Sequence, residues 1–255
     1  MMIPILLSAV LWSTDLNDAL RQAHAERKVT IVHAAQSPSA KLDEALARES
    51  VSRMTPAFVF ARSADRRYRG SAELLVVTSA GDVAARLEGT LDANRVYGFL
   101  QEMAELAPVI VAAGEQRAKG NDGDADLALA FVQLVHEPGA TRLESQAPFR
   151  RAERAFERAG DREGEERAHL WWEMFEMKGR FAIRNTIEET KSARNAAEGW
   201  LILGLLYDRE RSLSAAADAY RKAVAIAPSD SNTAVVARYA LVSQKERMRR
   251  GKWWR

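Results

Sequence analysis

Three groups of residues have types that could carry chemistry. The first is Gln36-Ser37-Pro38-Ser39-Ala40-Lys41, which follows a β-branched run containing His33. A serine becomes a hydrolytic nucleophile only beside a positioned base and an oxyanion site, and Ser37 with His33 or Lys41 forms no recognisable motif. A turn capped by Ser37 or Ser39 at the start of a helix is the favoured reading. The second group, Asp122, Asp124 and Asp126, opens like a calcium loop. Leu127 stands where that loop needs glycine and Gln133 where it needs glutamate, which favours a linker and helix cap. The third group is the four histidines, His24, His33, His136 and His169, which are scattered without metal-ligand spacing. There is no phosphate-binding glycine loop, so neither metal nor cofactor is expected. The chain has no cysteine, which excludes disulfides, thiolate nucleophiles and thiolate zinc sites by composition.

The elements that must position these residues alternate between two periods. Leu16, Ala19, Leu20 and Ala23 fall at helical spacing after Ser13 or Thr14, either a plausible cap, and Lys28 closes that helix. Val29 to Ala35 reads as a buried strand, and Leu42, Ala45 and Leu46 give a second helix one face. Ala57 to Ala61, Leu74 to Thr78 and Val83 to Leu87 read as strands, the last two joined as a hairpin through Ser79-Ala80-Gly81-Asp82. Val96, Phe99, Leu100, Met103 and Leu106 then recur at intervals of three and four, and Pro108 marks the end of the unit. This order predicts a small mixed sheet with helices packed on it.

With Trp12 ahead of the first helix, residues 12 to 106 resemble the thioredoxin-like family, an α/β fold with a central mixed sheet flanked by helices. The resemblance places the family's Trp-Cys-x-x-Cys-Lys segment on residues 36 to 41, so that Ser37 and Ala40 hold the two cysteine positions and only Lys41 matches. It also places the family's cis-proline at Ala72 and its buried acid at Ile31. Thiol–disulfide exchange needs a thiolate, so the resemblance implies a redox-inactive domain.

From Gly199 to Pro228, Trp200, Leu203, Gly204, Tyr207, Ala216, Tyr220, Ala223 and Pro228 follow the spacing of a tetratricopeptide (TPR) repeat without gaps. Small Gly204 and Ala216 let the paired helices approach, and Pro228 stops the second. Because one repeat cannot bury its own apolar face, neighbours are expected. Ala168, Trp171, Trp172, Phe175, Gly179 and Phe181 make a degenerate copy with Arg184 and Glu188 where small and aromatic residues belong. Leu127, Ala130, Phe131 and Leu134, then Phe149, Ala152, Phe156 and Ala159 beyond a loop with Pro138-Gly139, suggest another pair; Ala234, Ala237 and Leu241 begin a last helix.

Such arrays present a groove to peptides of a partner protein, and that is what the resemblance implies. The candidate groove residues are Leu201, Leu205, Asp208, Arg209 and Trp172. Leu201 and Leu205 either line an apolar groove for a helix or extended peptide or pack on the preceding helical pair or the first domain. Adjacent Trp171 and Trp172 diverge by about 100° on a helix, so the pair cannot share one seam.

The expected layout is a redox-inactive thioredoxin-like domain over 1–107, a linker or connecting helix over 108–123, an all-α TPR-like array over 124–245, and a basic aromatic tail over 246–255. Of 255 residues, 47% are apolar and 28% charged, the profile of a globular protein. Residues 245 to 255 carry six basic side chains and one acid, so the net charge of +2 resides in the tail. Nucleic-acid or membrane contact through that tail is weighed below a solvated or locally docked one. Met1 to Trp12 is apolar, like a signal-peptide core, but lacks a basic flank and a small-x-small site, which favours a cytoplasmic over an extracytoplasmic location. It reads alternatively as a first strand or an arm packed on the domain. The function expected is a non-catalytic protein-binding scaffold, with a chaperone-like client-holding role as the alternative.

Overall fold

A computed structural model of the chain describes residues 10–34, 39–65, 68, 72–89, 91–136, 142–173 and 179–250. Ser37, the residues before Val10, the Pro138-Gly139 loop, Phe175 and the tail from Gly251 lie outside the described residues. The chain folds as two units, Met1–Ala118 and Lys119–Arg255.

The first unit carries five described strands, β1 (Trp12–Ser13), β2 (Val29–His33), β3 (Phe58–Arg62), β4 (Ala72–Val77) and β5 (Val83–Glu88), in the spatial order β1-β3-β2-β4-β5. β1, β3 and β2 run parallel, and β4 and β5 are antiparallel, so the sheet is mixed. Parallel neighbours need crossovers, and helices supply them. α1 (Leu16–Glu26) joins β1 to β2; α2 (Ala40–Ala47) and α3 (Glu49–Ser52) lie between β2 and β3. β2 is buried along its whole length, as its run of β-branched residues from Val29 to Val32 requires, and His33 is buried with them.

Local chemistry sets the ends of these elements. Asp15, rather than Ser13 or Thr14, caps α1: its carboxylate accepts from the Asn17 and Asp18 amides. Arg27, one residue before the expected stop, turns left-handed at φ 51° to close the helix. Ser39 caps α2 through the Leu42 amide. In the β4–β5 turn, Gly81 takes φ 87°, and the Thr78 hydroxyl accepts from the Ala80 and Asp82 amides. α1 packs Ala19 and Ala23 against Val59 and Ala61 on one face of the sheet. The alternation of β3 turns Phe58, Phe60 and Arg62 to the other face.

α4 (Ala93–Ala118) departs from expectation. Pro108 does not end it but lies inside the helix, on its exposed side. A proline on the solvent face frees the Ala104 carbonyl to water, which limits the cost of the missing donor. The following turns are held by burial of Val109, Ile110 and Ala113, and by Gly114, where a Cβ would stand 2.6 Å from Ser79 Oγ. Arg117 Nε donates to Asp82 Oδ2 at 3.1 Å and tethers the last turn. Residues 109–118 therefore belong to the first unit's packing.

The second unit consists of α5 (Asp122–His136), α6 (Arg142–Ala159), α7 (Arg162–Glu173), α8 (Gly179–Glu189), α9 (Ala193–Arg209), α10 (Leu213–Ile226) and α11 (Asn232–Arg250). Each packs on its sequence neighbour, and α11 also reaches α5 and α9. The approach of α11 to α5 departs from a linear stack, in which a helical pair touches only its neighbours. Aromatic rings fill the first half: Trp171 is fully buried, stacked 5.2 Å from Phe149 and tilted 4.3 Å from Phe131. In the second half α9 and α10 meet closely because Gly204 has no Cβ, which would lie 2.4 Å from the buried Tyr220 ring.

Candidate functional site

In the first unit the described candidate positions Ala40, Lys41 and Ala72 lie on α2 and β4, the helix that follows β2 and the strand that pairs antiparallel with β2. Ala40 opens α2, and it and Lys41 are both exposed; Ala72 opens β4 opposite Glu88. His33 is 1% exposed, its ring 5.9 Å from that of Trp12. Arg62 stacks over Trp12 at 4.8 Å and donates through Nη2 to both carboxylate oxygens of Asp43, at 3.0 and 3.3 Å. Ile31 is fully buried. Beside the carboxyl ends of β2 and β3 thus lies an aromatic and cationic cluster, His33-Trp12-Arg62-Asp43, tied together by packing and one ion pair.

In the helical unit Leu201 and Leu205 take the packing alternative rather than the groove one. Leu201 is fully buried, Leu205 is 8% exposed, and Asp208 is buried beside them. They share α9, whose buried stripe faces its packing partners α7, α8, α10 and α11, so the side chains expected to line a groove form interior packing. Arg209 is exposed at the end of α9. Trp172, on α7, is half-buried under the Arg150 guanidinium at 4.5 Å, while its neighbour Trp171 is the buried member of the pair.

An open concavity lies on other residues. A groove of about 400 Å³ runs between α8, α9 and α10, lined by Arg184, Glu188, Trp200, Tyr207, Asp218 and Lys222. Trp200 and Tyr207 are half-buried, two turns apart on one side of α9. Lys222 Nζ sits 3.9 Å over the Trp200 ring, and Arg184 donates to the Tyr207 hydroxyl. Two cations and two acids offset each other around an aromatic floor, an arrangement that can hold a peptide by ring contacts while pairing charges of either sign. The repeat spacing alone places Trp200 and Tyr207 in a buried seam. The signal against that placement is Arg184 and Glu188, standing where a repeat wants small and aromatic residues.

An ionic cluster with a buried core, Arg167 and Glu198, ties α5, α7 and α9 together. Arg167 on α7 donates through Nε and Nη2 to Glu198 Oε1 on α9, and through Nη1 to Asp124 on α5. Glu198 Oε2 accepts from Trp171 Nε1 at 3.2 Å, and Arg194 also donates to Asp124. Burial by itself would pull the Arg167 pKa down; the charges of Glu198 and Asp124 and their hydrogen bonds outweigh it and raise the pKa above the usual arginine value. The three aspartates of the supposed calcium loop thus lie in the first turns of α5. Asp124 serves these arginines, and Asp126 lies 3.7 Å from Arg151.

Compared with family models, with curated proteins and with solved structures, the chain matches none.

Proposed function

We propose that the chain is a non-catalytic interaction or scaffold protein, in which a degenerate thioredoxin-like domain accompanies a TPR-like array that binds a protein or peptide partner. The strand order β1-β3-β2-β4-β5, with three parallel strands and a terminal hairpin followed by a helix, supports the first part. The absence of cysteine removes thiol chemistry from it. Gly204 against Tyr220, with buried Ala216 and Ala223, supports the second. The packing of α11 on α5 makes the array more closed than a linear solenoid.

The observation that carries the reading is the half-buried pair Trp200 and Tyr207 in an open, charge-balanced groove. Aromatic side chains left partly accessible beside cations are the residue types that dominate binding at protein interfaces. The test compares proteins recovered with the parent and with a Trp200→Ala/Tyr207→Ala variant whose helicity is unchanged. A stoichiometric partner lost from the variant is the expected result; equal recovery by both counts against the groove. A client-holding role rests on less, chiefly Phe181, 68% exposed on α8. That role predicts suppression of aggregation of a denatured client, reduced by Phe181→Ser.

A further inference from the structure

A second concavity, of about 470 Å³, opens between α7, α8 and the first turn of α9. Glu166 and Glu173 come from α7, Glu189 from α8, and Asn195 from α9; buried Leu170 lies in its wall. No lysine or arginine is among the described residues lining it. His169, also on its wall, stands 3.5 Å from Glu173 and 3.9 Å from Glu153.

Acceptors outnumber donors among its polar groups, the donors being those of His169, the Thr190 hydroxyl and the Asn195 amide nitrogen. The three carboxylates accept only. The Thr186 hydroxyl spends its proton on the Ala182 carbonyl, which leaves its lone pairs to accept. The Thr190 hydroxyl accepts from the Ser192 amide. Asn195 is 3% exposed, and its Oδ1 has no hydrogen-bond partner, although its own backbone amide is satisfied by Ser192 Oγ. A buried acceptor without a donor is uncommon in a folded interior and marks a place where a donor belongs. Independently of the acidic rim, then, the groove is lined by one residue, Asn195, whose Oδ1 lacks an N–H partner.

Among the described residues no three carboxylate or imidazole groups converge closely enough to hold a metal ion. The acceptors are spread over three helices, which suits a wide, delocalised cation better than a point charge. A guanidinium offers five N–H donors in a plane and no acceptor. Its weakly hydrated face tolerates an apolar wall such as Leu170. The volume exceeds that of one side chain, and the groove is open enough to admit main chain.

We infer that this groove binds an arginine-bearing segment of a partner protein, with Glu166, Glu173 and Glu189 supplying the charge and Asn195 Oδ1 accepting from the segment. The inference rests on the interaction function proposed for the chain and adds a second subsite with its own chemistry.

The test uses the full chain and a fluorescein-labelled nonapeptide carrying three arginines spaced by Gly and Ser, titrated by anisotropy at 0.15 M salt. Its twin carries citrulline, which is neutral and nearly isosteric. The arginine peptide should bind at least tenfold more tightly than the twin. Glu166→Gln/Glu173→Gln/Glu189→Gln should lose about tenfold, and Asn195→Ala several-fold, with unchanged helicity. An Asp18→Asn/Glu44→Gln/Glu49→Gln variant, equal in charge change but placed on the first unit, should bind like the parent. Equal binding of the two peptides overturns the proposal, as does an equal loss in the control variant. So does displacement by free arginine as effective as by the unlabelled peptide, since that would make the site one for a small molecule. Trp200→Ala/Tyr207→Ala should leave the arginine peptide bound. If the partner assay of that variant fails while citrulline discrimination persists, the aromatic groove falls and the acidic one stands; the converse pattern removes only the acidic one.

Discussion

Arg167 and Glu198 face each other across α7 and α9 with 4% and 1% of their side chains exposed, and two guanidinium nitrogens converge on one carboxylate oxygen at 3.1 and 2.8 Å. Removing one partner leaves the other charged and buried. Glu198→Ala should therefore destabilise the helical unit by about 3 to 5 kcal/mol, whereas Arg167→Met with Glu198→Leu should recover most of that loss. Urea unfolding followed by the helical circular-dichroism signal measures both.

The same pair sets an expectation for pH. A pKa raised in the folded state contributes stability that is fully present below the unfolded value and is lost as pH rises through the folded one. For Arg167 both lie beyond the ordinary range. The stability difference between parent and the Arg167→Met/Glu198→Leu protein should accordingly show no arginine-linked change from pH 6 to 10. A loss of that difference in mid-range would mean that a group other than the guanidinium governs it.

Two glycine substitutions should move stability in opposite directions. Gly204→Ala drives a Cβ into the Tyr220 ring and should cost about 1 to 3 kcal/mol. Gly98→Ala, inside α4 with nothing within 4 Å of the added Cβ, should stabilise by about 0.5 to 1 kcal/mol. Thermal melts of the two variants check the sign.

Helix caps offer a further measurement. Asp15→Ala and Ser39→Ala remove acceptors from the first turns of α1 and α2 and should each cost about 1 kcal/mol. Ser13→Ala should cost less, because its hydroxyl donates to the Asp15 carbonyl and satisfies no helix amide.

Pro108→Ala restores a backbone donor in the middle of α4 and should raise the melting temperature, with a gain on the order of 1 to 3 kcal/mol. A drop would show that the proline sets a bend the packing requires.

Periodicity makes most of the elements legible. The strands at Val29, Phe58 and Val83 and the helix faces at Leu42-Ala45-Leu46 and Val96-Phe99-Leu100 are where burial requires them. Punctuation misleads. Pro108 carries the residue type of a stop, but the burial that overrides it lies downstream, at Val109, Ile110 and Gly114 against Ser79. The groove on α9 escapes the sequence for a similar reason: a helix shows its apolar stripe but not which neighbour covers it, so Leu201 and Leu205 lie inside while Trp200 and Tyr207 stay partly open. The acceptor-rich groove is illegible because Glu166, Glu189 and Asn195 come from three helices, and nothing in their spacing couples them.

The passage of α4 through Pro108 also decides what can be transplanted. A fragment cut at the proline would forfeit Val109, Ile110, Ala113 and the close approach of Gly114 to Ser79, and would expose the patch they cover. The portable module, the stretch that could be grafted onto another protein with its interior intact, runs on to Ala118, where the first unit ends.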